Sequence, residues 1–125
     1  MIPVLYVDGN SRRRENAEHF FGTDSGIALD TVPSARLAKK KAGSGRYGAI
    51  VFDYPEKSKE KNDMIVSLRE QGLKTPVILF TRWQDPACEH EAGRCSGITC
   101  VRTAGLAQIS FRELRAVIRL VSGEN

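Results

Sequence analysis

Five short apolar runs recur at fairly even intervals along the chain: Val4–Val7, Ile27–Val32, Ala49–Phe52, Val77–Phe80 and Ile98–Val101. Four of them are rich in Val, Ile and Leu with little alternation, the pattern of strands covered on both faces. Ile27–Val32 differs. It alternates and carries Asp30, which suits an edge strand.

Helical spacing fills the intervals. After Ser11, the apolar residues Ala17, Phe20 and Phe21 fall on one helix face. Ser34 is placed to cap a helix that runs through Lys41 and stops at Gly43-Ser44-Gly45. Met64, Ile65 and Leu68 form a stripe ended by Gly72. The clearest stripe is Phe111, Leu114, Val117, Ile118 and Val121, with Ser110 as its expected cap. Asp85–Ala92 carries a weaker pattern that a short helix would satisfy. Strands alternating with helices predict an open parallel sheet with helices on both faces. Right-handed crossovers leave few topologies, and the flavodoxin-like, doubly wound order 2-1-3-4-5 is preferred over a Rossmann half. At 125 residues, with no repeat or second domain visible, residues 1–125 read as one α/β domain.

Composition narrows the classes. The chain is 41% hydrophobic and 27% charged, ordinary for a globular protein. No apolar run has the length of a membrane span, and the N-terminus lacks a signal-peptide layout, so a cytoplasmic location and no membrane contact are expected. Cys88, Cys95 and Cys100 fit no even disulfide framework and read as free thiols in a reducing compartment. The net charge of +4 comes from 19 basic and 15 acidic residues. The clusters Arg12–Arg14 and Lys39–Lys41 read as solvated helix faces, so no nucleic-acid partner is expected.

Three of the runs end on a polar residue at the same structural point: VLYV on Asp8, AIVF on Asp53 and VILF on Thr81. In the order 2-1-3-4-5 these strands are neighbours, so the three residues converge at the carboxyl edge, where such sheets bind ligands.

The stretches "VLYVDGN", "YGAIVFDY" and "TPVILFT" together resemble the receiver (CheY-like) domain of two-component response regulators, over essentially the whole chain. The wording is most similar to receivers of archaeal methanogens. The resemblance implies a phosphorelay signalling module rather than an enzyme. Its phosphoacceptor would be Asp53, charged from a phosphohistidine on a sensor histidine kinase or phosphotransfer protein. Mg²⁺ would be held by Asp8, Asp53 and the Pro55 backbone carbonyl, and Thr81 would contact the phosphoryl oxygens. It also implies homodimer pairing through the face of the fourth helix, fifth strand and last helix, expected to include Arg112, Arg115 and Arg119.

The chain departs from that family mostly at the site. Gly9 stands where a second acid, the direct metal ligand, belongs. "TCVRTAG" offers Arg102 or Thr103 at the place of the family's lysine. Arginine would keep a charge in a different geometry, and threonine would supply none. The loop "PEKSKEKND" has no glycine, Arg82 replaces a small residue, and Cys100 or a neighbour replaces the switch aromatic. These losses imply a degenerate receiver, with Mg²⁺ weak or absent and Asp53 weak or unused. A fully functional Mg²⁺-dependent phosphoacceptor is the alternative. Three further readings are less favoured. A nucleotide-binding module would have to use "DGNSRRRE" as its phosphate loop, and that segment is a poor one. A metal or redox site on Cys88, His90, Cys95 and Cys100 lacks any C-x-x-C pair. A hydrolase lacks a nucleophile elbow, and His19 reads as a surface residue.

Overall fold

The computed structural model describes residues 1–22, 26–53, 59–81, 97–102 and 107–123. Strands β1 (Ile2–Val7), β2 (Ile27–Val32), β3 (Ala49–Asp53), β4 (Val77–Thr81) and β5 (Ile98–Arg102) form one sheet. Helices α1 (Ser11–Gly22), α2 (Ala35–Ala42), α3 (Lys59–Glu70) and α4 (Ala107–Val121) cover it. The strand order is β2-β1-β3-β4-β5 and every pairing is parallel, as the sequence pattern requires. The helix expected over Asp85–Ala92 lies outside the described residues. No described helix is long and apolar enough to cross a membrane.

Successive strand residues point to opposite faces, so each strand feeds two cores. On one face Leu5, Ile50 and Leu79 pack against Ala38 of α2 and Met64 and Leu68 of α3. On the other, Tyr6, Val51 and Phe80 pack against Phe21 of α1 and Phe111 and Ile118 of α4. There Phe111 meets Phe21 edge to face, ring centroids 5.8 Å apart, and stacks on Phe80 at 6.3 Å. The near-continuous apolar runs follow directly from this double coverage. Strand β2 sits at the edge, with Ala28 and Asp30 exposed, as its alternation indicated.

Helix boundaries follow local chemistry. Asn10 caps α1, its Oδ1 accepting the Arg13 backbone N–H at 3.0 Å. Ser34 caps α2 as expected, accepting from the Leu37 N–H at 3.2 Å. Ser110, expected as a cap, instead lies in the first turn of α4. That helix starts at Ala107, because Ala and Gln favour helix and carry the backbone one turn further back. The close approach of β1 to the residue before β3 requires glycine: a Cβ on Gly48 would stand 2.9 Å from Ile2 Cγ2.

Two residues of the arginine stripe of α4 have neighbours on other elements. The Arg115 guanidinium lies 5.7 Å from the centroid of the Phe20 ring on α1. Arg119 Nη2 lies 3.0 Å from where a Cβ on Gly26 would stand, at the start of β2.

The β2 edge is held by one buried phenol. Tyr47 O–H donates to Asp30 Oδ2 at 2.6 Å. Burial, and then the bond to Asp30, raises the Tyr47 pKa above its usual 10. A folded pKa above the unfolded one means that the fold disfavours the phenolate, so this share of stability is lost as pH rises through the unfolded value. Tyr47→Phe removes the group. The variant is expected to lose less stability than the parent between neutral pH and pH values above that of free tyrosine, read as paired urea midpoints. Parallel loss in both proteins would count against the linkage.

Candidate functional site

The registers carry four of the sequence-selected residues to one edge. Val7 is opposite Phe52, so Asp8 and Asp53 follow side by side at the ends of β1 and β3. Thr81 closes β4 and pairs with Arg102, the last residue of β5. Pro55 and Thr103, along with Arg82, Cys88, His90 and Cys95, lie outside the described residues. Cys100 is within β5. His19 is exposed on α1, as expected.

Asp8 and Asp53 are both buried. Two buried carboxylates this close need compensating charge and hydrogen bonds. Arg13, from the first turn of α1, supplies them. Its Nε donates to Asp8 Oδ2 at 2.7 Å and its Nη2 to Asp8 Oδ1 at 2.9 Å, a bidentate pair. The same Nε lies 3.8 Å from Asp53 Oδ2. The Asn10 backbone N–H also donates to Asp8 Oδ1, at 2.9 Å, and Arg14 Nη1 donates to the Asp8 carbonyl at 2.8 Å. On the other side, the fully buried Tyr6 donates its O–H to Asp53 Oδ2 at 2.6 Å. The bond to Asp8, first among the causes, holds the Arg13 pKa above its already high ordinary value, so the guanidinium stays charged.

Sequence reasoning brought Asp8 and Asp53 together correctly and missed Arg13, Arg14 and Tyr6. The signals were there. An arginine in the first turn of a helix that starts three residues after a strand-end acid is within reach of that acid. Tyr6 shares the side-chain parity of the strand face beneath α1. Arg12–Arg14, read as a solvated face, is in fact split: Arg12 is exposed, whereas Arg13 and Arg14 are half-buried and turned to Asp8.

Mg²⁺ demands oxygens at about 2.0–2.1 Å in near-octahedral array. Among the described residues no three Asp, Glu, His or Cys side chains cluster to supply them. Both oxygens of Asp8 already accept from a guanidinium.

No protein-family model matches the chain, and no curated protein matches it. Solved structures do. The receiver domain of the Francisella response regulator 1452 superposes with a TM-score of 0.78 at 18% identity, covering 98% of each chain. The response regulator domain of Thermotoga maritima CheB gives 0.78 at 17% identity, covering 100% of this chain and 98% of that one. Thermotoga maritima TrrA, solved in complex with Mg²⁺-BeF, gives 0.73 at 19% identity, over 97% and 99%. The fold is therefore the CheY-like fold of receiver domains.

Proposed function

We propose that the chain is a degenerate receiver domain. Asp53 occupies the phosphoacceptor position but is charged weakly or not at all, with a sensor histidine kinase or phosphotransfer protein as the partner upstream and protein–protein interaction as the output. The observation that carries the reading is the pairing of Asp53 with Asp8 at the carboxyl edge of a receiver-type sheet, with Asp53 held by the Tyr6 hydroxyl at 2.6 Å. The place and the residue type support the receiver reading, and the restraint supports its degeneracy. In phosphoryl transfer a carboxylate oxygen attacks phosphorus as the bond to the histidine nitrogen breaks, and catalysis is mostly positioning and charge neutralisation. An oxygen that accepts a short, charge-assisted hydrogen bond must give it up, or share it, before attacking. Thr81 and Arg102, at the ends of β4 and β5, are the candidates to meet the phosphoryl oxygens.

Incubation with acetyl phosphate and Mg²⁺, followed by intact mass, is expected to show the gain of one phosphoryl group in only a small minority of molecules. Asp53→Asn should abolish even that. Rapid, complete, Mg²⁺-dependent labelling that disappears in Asp53→Asn would establish a working phosphoacceptor and overturn the degenerate reading.

A further inference from the structure

We propose that the Arg13 guanidinium is a built-in replacement for the divalent cation, so that the chain itself offsets part of the pocket's negative charge and the pocket is indifferent to metal. This deepens the receiver reading of Asp8 and Asp53 and rests on it. Geometry carries the inference. The Arg13 guanidinium lies between the two carboxylates, its Nε 2.7 Å from Asp8 Oδ2 and 3.8 Å from Asp53 Oδ2. A metal ion bound to Asp8 would have to displace two guanidinium bonds and then sit beside a displaced positive charge.

The competition is also unequal in concentration. Arg13 is five residues from Asp8, joined by a turn that the Asn10 cap fixes. A group tethered over so short a span acts at an effective concentration that free metal in the millimolar range does not exceed. Arg14 reinforces the arrangement by holding the Asp8 carbonyl from the next position on the same helix. Loss of the second acid is not enforced by packing. Among the described residues, a Cβ on Gly9 would meet only the Pro33 carbonyl oxygen, at an ordinary 3.6 Å. A carboxylate there is sterically tolerable, so Arg13 and Gly9 are separable contributions to metal exclusion.

The test is metal binding, read without any phosphoryl transfer. Mn²⁺ is titrated into the purified chain and free metal followed by electron paramagnetic resonance, with Mg²⁺ calorimetry in parallel. The parent should show no saturable site in the millimolar range, and its melting temperature should be the same in Mg²⁺ as in EDTA. Arg13→Ala should bind roughly tenfold or more tighter than the parent, and Asp8→Asn or Asp53→Asn in that background should remove the gain. Circular dichroism checks the fold, and Arg13→Gln, which keeps most of the stem, is used if Arg13→Ala does not fold. Millimolar Mg²⁺ binding or a Mg²⁺-raised melting temperature in the parent would overturn the proposal. So would a folded Arg13 variant that gains nothing. In that last case Gly9→Asp combined with the same Arg13 variant separates the two ideas. A metal site there would retain the receiver pocket and reject only the role given to Arg13, whereas no site would reject both.

Discussion

Phe80→Ala is expected to lower the unfolding free energy by about 3–5 kcal/mol. Phe80 is fully buried in a central strand, and its ring stacks on Phe111 of α4 at 6.3 Å. Truncation removes the transfer energy of the ring and leaves a cavity between sheet and helix that rigid flanking strands cannot close. Domains of this size are stable by only about 5–15 kcal/mol, so a large share of the total is at stake. Urea denaturation gives the difference directly. Val66→Ala, half-exposed on α3, is the comparison and should fall within about 0.5 kcal/mol of the parent. A Phe80→Ala cost below about 1.5 kcal/mol would mean that the layer between the sheet and α4 is not packed as described.

The second large effect is expected at Tyr6. Tyr6→Phe keeps the ring and deletes one hydroxyl, which donates at 2.6 Å to a buried carboxylate. Hydrogen bonds to charged groups contribute about 1.5–3 kcal/mol, and a buried acceptor that loses its donor also bears its desolvation cost. The single variant is therefore expected to lose about 1.5–3 kcal/mol. Combining it with Asp53→Asn isolates the pair, since the double variant should lose less than the two singles added together. Simple additivity of the two changes would show that the hydroxyl and the carboxylate act independently.

Much of the fold was legible because buried parallel strands write themselves as unbroken apolar runs. The five runs, the edge character given by Asp30 and the Ser34 cap all follow from local chemistry. The convergence of Asp8 and Asp53 was legible too, since strand order and strand ends alone determine it. What sequence could not resolve was which side chains reach across elements. Arg13 and Arg14 look like any solvated basic run until α1 is laid over the end of β1. The stripe Arg112, Arg115 and Arg119 has helical spacing whichever way it faces. The neighbours of Arg115 at Phe20 and of Arg119 at Gly26 appear only once α4 is packed. The start of α4 was misplaced by one turn for a local reason, since Ser110 is a good cap residue but Ala107 and Gln108 are good helix formers.

The first turn of α1 carries three successive arginines and no acid. Positive charge at that end opposes the helix macrodipole, so the composition of the turn works against its own folding. Asn10 and the Asp8 carboxylate at its mouth offset this. The opening of α1 is thus a local folding unit whose stability depends on a pocket outside the helix. Whatever draws Arg13 off Asp8 also frays that turn, and the amides of Arg13 and Arg14, both bonded to Asn10, then lose protection against hydrogen exchange. Pocket and helix share one equilibrium: what changes the charge in the pocket changes the order of the turn that closes it.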